Sequence, residues 1–93
     1  MSLEVIMKLF IIHVGYYDYE VGMYELHSQF LIPAASASVA KELVMAKDIF
    51  QNKKMHIDGI QEINQVEGYS ISLQPDINKI ENKIYSYNEI KQL

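Results

Sequence analysis

The run Ile6–Val14 limits this chain more than any other segment, because it reads as a β-strand that is apolar on both faces. Side chains alternate along a strand, so Leu9, Ile11 and His13 point one way while Phe10, Ile12 and Val14 point the other. Strands with this pattern lie inside a sheet covered on both sides. A 93-residue chain has few ways to supply two covering layers. There are no cysteines, so no disulfide or thiolate site adds to the packing, and a reducing, cytoplasmic setting is expected. Hydrophobic burial, helped by a second subunit, is what remains.

The rest of the chain reads as the partners of that strand. Gly15–Gly22 forms a loop dense in tyrosine, and Met23–Ile32 then alternates as a half-buried strand, antiparallel to the first and ended by Pro33. Ser36 or Ser38 caps one long helix with a stripe of Val39, Leu43, Ala46 and Phe50, flanked by Ala40 and Ile49. Gln51–Lys54 closes it, with Asn52 suited to the left-handed terminal position. Met55–Asn64 and Tyr69–Leu73 are the third and fourth strands, joined through a turn at Glu67-Gly68. Beyond Pro75, Asp76 is placed to cap a helix with Ile77, Ile80, Ile84 and Tyr87 on one side, while Lys83–Tyr87 reads equally as a strand. The expected fold is a single α+β domain: a mainly antiparallel four-stranded sheet in β-β-α-β-β order. One long helix covers one face, and a helical or strand-like tail follows over 75–93.

Composition removes several functions. All eight basic residues are lysines and the net charge is −4, which disfavours nucleic acid, whose phosphates attract cationic surfaces and whose base edges suit arginine. Val5–Val14 is too short to span a bilayer, and Gly15-Tyr16-Tyr17-Asp18 is no signal-peptidase site, so neither membrane nor export is expected. Met7-Lys8 is as good a start as Met1, so Met1–Ile6 reads as an extension. Four isolated glycines cannot build a phosphate loop, and no serine sits in a nucleophile elbow. No cofactor motif is present, and although two imidazoles and two carboxylates are enough for zinc or a similar divalent metal, no metal site is expected, since such ligands must also converge in space.

Two couplets carry the available chemistry. Glu25-Leu26-His27 and His56-Ile57-Asp58 each place a carboxylate and an imidazole on one face of a strand. If the two strands are near neighbours, Glu25, His27, His56 and Asp58 form a cluster able to shuttle protons, the candidate catalytic set. The plain alternative is a solvated polar face. His13 is expected to be a satisfied strand-end histidine. Tyr16, Tyr17, Tyr19 and Tyr24 are candidate ligand-binding residues, since tyrosine offers large contact area at low entropic cost; the alternative is that these rings cover the end of the sheet.

The ordered set Met7-Lys8-Leu9-Phe10, Gly15, Glu25-Leu26-His27, His56-Ile57-Asp58 and Val66-Glu67-Gly68-Tyr69 resembles the domain-of-unknown-function family 1543 over residues 7–74. The resemblance implies a cytoplasmic bacterial domain with no assigned activity, in chains carrying one copy or two. Two positions depart from the pattern: Gly15-Tyr16 replaces a glycine pair, and Ser28 stands where an acid follows Glu-Leu-His. Tandem copies imply by analogy that a single copy associates with itself. The expected function is a binding or interaction module for a protein or small-molecule partner, working as a homodimer through the sheet face or edge left open by the helix. A small acid–base or metal-dependent enzyme using the two couplets is the alternative.

Overall fold

A computed structural model describes residues 5–93; Met1–Glu4, and with them most of the supposed extension, lie outside the described residues. The elements in chain order are β1 (Lys8–Tyr17), β2 (Glu25–Ala34), α1 (Ala37–Met45), α2 (Asp48–Asn52), β3 (His56–Ile63), β4 (Gln65–Val66), β5 (Tyr69–Ser70) and α3 (Tyr87–Ile90). The two-sided apolar strand β1 is central in a three-stranded sheet of order β2-β1-β3, and both of its pairings are antiparallel.

One face of this sheet carries the core. Phe10, Ile12 and Val14 are completely buried there with Ile32 and Ala34 of β2, Ala40 and Val44 of α1, and Met55. Burying a side chain of this size contributes about 1.5–3 kcal/mol, so β1 alone anchors much of the fold. Ser36 caps α1 by accepting the Val39 amide, one of the two caps expected.

Three expectations about the helical region are corrected. The helix is not one long rod: it breaks at Ala46 and Lys47, where Lys47 is extended (φ −70°, ψ 139°), and resumes as the short α2. Its buried face is also turned by one residue. Ala40 and Val44 face the sheet, while Val39 and Leu43 are exposed, because the small Ala40 lets the helix lie close to β1 and β2. The left-handed residue closing α2 is Lys54 (φ 50°), not Asn52. The Lys54 amide donates to the Gln51 carbonyl and the Met55 amide to the Phe50 carbonyl, which is a Schellman closure with buried Met55 packed after it.

The sheet has three strands, not four. Tyr69–Leu73 does not join it; only Tyr69 and Ser70 pair, with Val66 and Gln65, in a separate two-stranded ribbon. The turn does fall at Glu67-Gly68, with φ of 51° and 81°, the tight geometry for which glycine is suited. Pro33 does not end β2 either. The strand continues to Ala34 because β2 is an edge, where a missing amide hydrogen costs no interior pairing. From Ser72 to Tyr85 no helix or strand forms, and α3 is a single turn, closed by a reciprocal capping box between Ser86 and Glu89. Among the described residues no helix is long and apolar enough to cross a membrane.

Candidate functional site

The face of the sheet away from the helices is set by the strand register. Gly15 of β1 pairs with His27 of β2 on one side and His56 of β3 on the other, and Tyr17 pairs with Glu25. Alternation therefore puts Glu25, His27 and His56 on this face, opposite the core. A β-bulge completes the set: His13 pairs with Gly59 but Val14 pairs with Ile57, which leaves Asp58 as the extra residue of β3. The two couplets converge.

Gly15 makes the convergence possible. A Cβ on Gly15 would collide with Glu25 Oε1 and would lie 2.6 Å from His56 Nε2 and 2.8 Å from Asp58 Oδ2. The absent side chain is the space in which three side chains from two strands meet. His56 Nε2 donates to Glu25 Oε1 (2.9 Å) and lies 3.2 Å from Asp58 Oδ1; His27 Nδ1 is 3.6 Å from Asp58 Oδ2. These side chains remain between one third and two thirds exposed, so the cluster is open to a ligand from solvent.

Its surroundings are polar on one side and aromatic on the other. A shallow depression of about 470 Å³ adjoins it, lined by His13, His27, Gln29 and Asp58. His13 is satisfied, as expected, although by the Gln29 side-chain amide (3.2 Å) and not by backbone. At the other side Tyr17 and Tyr19 stack, ring centroids 6.2 Å apart and planes 14° from parallel. Tyr17, Tyr19 and Tyr24 are exposed, whereas Tyr16 packs against the core on the opposite face and is not part of this surface. Tyr24 folds its ring onto Gly22.

Asp18 organises the tyrosine loop. Its carbonyl accepts the Val21 and Gly22 amides, its carboxylate accepts the Glu20 amide (3.1 Å), and Lys53 reaches it across the chain (3.0 Å). The hydrogen bond from Lys53, and then that from the Glu20 amide, hold the Asp18 carboxyl below its usual range. The same bond holds the Lys53 ammonium above its own. Sequence reasoning missed Gly15, Asp18 and Gln29 as parts of the site. Gly15, expected to open the loop, lies instead inside β1, which runs on to Tyr17, and a glycine within a strand marks close approach of other groups. A much larger cleft, about 1080 Å³, lies at the far end of the sheet among Val5, Met7, Pro33, Ile63 and Leu73, and it gathers no acid–histidine chemistry.

The donor set suits a divalent cation. One oxygen each from Glu25 and Asp58 and one nitrogen from His56 lie within 4.8 Å of one another. Ligand atoms about 2.0–2.2 Å from a tetrahedral zinc stand about 3.3 Å apart, close to the 2.9 and 3.2 Å separations found here. Mixed imidazole and carboxylate donors fit zinc and its neighbours better than calcium.

A family model described as Domain of Unknown Function (DUF1543) matches residues 22–73. The matched span holds β2, both central helices, β3 and the ribbon, and with them all four residues of the two couplets; β1, with Gly15, precedes it. No curated protein and no solved structure matches the chain.

Proposed function

Since the chain belongs to the family Domain of Unknown Function (DUF1543), a description that names no activity, we propose its function from the site itself: a binding module whose ligand is a divalent first-row metal ion. Glu25, His56 and Asp58 hold the ion, His27 lies beside them at 3.6 Å from Asp58, and the Tyr17–Tyr19 stack provides contact area for whatever protein or small molecule the ion recruits. The observation that carries this reading is the meeting of three donor atoms over Gly15, a position where any side chain would displace them. An imidazole between two carboxylates is also a proton-transfer arrangement, which supports acid–base catalysis by Glu25, His27, His56 and Asp58 as the second reading. Binding is favoured over catalysis because the cluster lies on an open face with only a shallow depression, where water is not excluded from a reacting centre.

Titration calorimetry with zinc chloride tests the proposal. The expected result is one ion per chain, with affinity reduced at least tenfold by Glu25→Gln or His56→Ala and the circular dichroism spectrum unchanged. Binding that is absent, or that both variants leave intact, overturns it.

A further inference from the structure

The chain does not close on itself. Its accessible surface is 8217 Å², whereas a compact 10.8 kDa monomer exposes about 5500 Å². Its radius of gyration is 16.6 Å, against about 12 Å for a compact domain of this length. The excess area, about 2700 Å², is more than three times the roughly 800 Å² that each partner contributes to a stable complex.

Two exposed apolar surfaces contribute to this excess. The first is the apolar half of the open sheet face, where Leu9 and Ile11 are only partly covered and Leu31 is 66% exposed, continuing into the 1080 Å³ cleft between the N-terminal segment and residues 71–75. The second is the segment after Pro75, whose Ile77, Ile80, Ile84, Ile90 and Leu93 are between 55% and 101% exposed. The segment leaves the body at the rim of that cleft, because Gln74 and Pro75 themselves line it. One chain thus carries an uncovered apolar sheet and an apolar arm that covers nothing, with the arm starting where the uncovered surface ends.

We infer that the chain pairs with a second copy by exchanging these arms, residues 76–93 of each copy lying across the apolar half of the other's open sheet face. The exchange is reciprocal, so it satisfies both surfaces in both copies about a two-fold axis and leaves no unpaired end for further growth. It also supplies the second covering layer that the two-sided strand β1 demands. The acid–histidine cluster occupies the other half of that face, beyond the arm, and stays accessible.

The absence of cysteine makes the arrangement directly testable. Sedimentation equilibrium of the full chain, run with chelator present so that metal binding plays no part, is expected to give a dimer at micromolar concentration. Ile80→Glu with Ile84→Glu, which touches no core residue, is expected to give monomers of unchanged circular dichroism. Copies carrying only Leu31→Cys, mixed with copies carrying only Ile84→Cys, are expected to form the mixed disulfide on mild oxidation in preference to either homodisulfide. A wild-type monomer at 100 μM, a dimer indifferent to the two glutamates, or a chain carrying both cysteines that cross-links within itself as a monomer each overturns the exchange.

Discussion

The two faces of the central sheet share a backbone and differ in almost everything else. On the helix side, Phe10, Ile12 and Val14 are fully buried beneath Ala40 and Val44. On the other side, the interleaved residues Leu9, Ile11, His13 and Gly15 of the same strand support a surface that is apolar at one end and carries ionisable groups at the other. The contrast shows how a small domain divides its labour. One face holds the buried core of the single chain, and the end of the other face that carries the ionisable groups stays open to solvent.

The largest expected effect lies in the covered face. Phe10→Ala should lower unfolding stability by about 3–5 kcal/mol in urea denaturation, whereas Leu31→Ala, measured in the monomeric Ile80→Glu, Ile84→Glu background, should cost about 0.5 kcal/mol or less. Equal losses would mean the faces are not energetically distinct. Next comes the floor of the site. Gly15→Ala should weaken zinc binding about tenfold or more, equivalent to about 1.4 kcal/mol, with little change in melting temperature, because the groups it meets are the movable ends of side chains. A larger loss of stability than of binding would place Gly15 with the core.

Smaller still, Lys54→Gly should stabilise the chain by about 0.5–1 kcal/mol, since a lysine in the left-handed region is strained and glycine is not. Thermal unfolding reads this, and no gain would mean that the Schellman closure tolerates lysine without cost. The smallest effect belongs to the Asp18–Lys53 pair, which braces the tyrosine loop. Asp18 titrates lower in the folded chain than in the unfolded one, so its contribution is present above its unfolded value, about 3.9, and is lost as pH falls through the folded value. Lys53 titrates higher when folded, so its share is present below about 10.4 and is lost as pH rises through the folded value. Asp18→Asn should therefore flatten the acid limb of the stability profile slightly and leave neutral pH nearly unchanged. An unaltered acid limb would remove the pair from any role in stability.

The sequence was informative wherever a period of two could be read without ambiguity. The central place of β1 follows from its being apolar on both faces, the common face of Glu25 with His27 from alternation, and the turn at Glu67-Gly68 from residue chemistry. The bulge at Asp58 was invisible, because a doubled residue in one strand depends on how the neighbouring strand runs and leaves no local mark. The helix face is not legible in the sequence because Val39/Leu43 and Ala40/Val44 are both valid four-residue spacings, and the closeness of the sheet, a tertiary fact, selects the smaller pair. The tail failed for a related reason: Ile77, Ile80 and Ile84 have helical spacing, but a short helix with nothing of its own chain to pack against gains too little to form.

Pro33 has a bearing on how the sheet meets other chains at high concentration. A three-stranded sheet has two outer strands, each a template on which further chains can hydrogen-bond and build an endless ribbon. Here β2 carries a residue with no amide hydrogen to offer an incoming strand, and β3 is twisted out of regularity where Asp58 is inserted. Both flanks are thus poor seeds for fibril growth, even though the broad side of the sheet is apolar. The chain keeps a sticky plane while blunting the rims along which stickiness becomes amyloid.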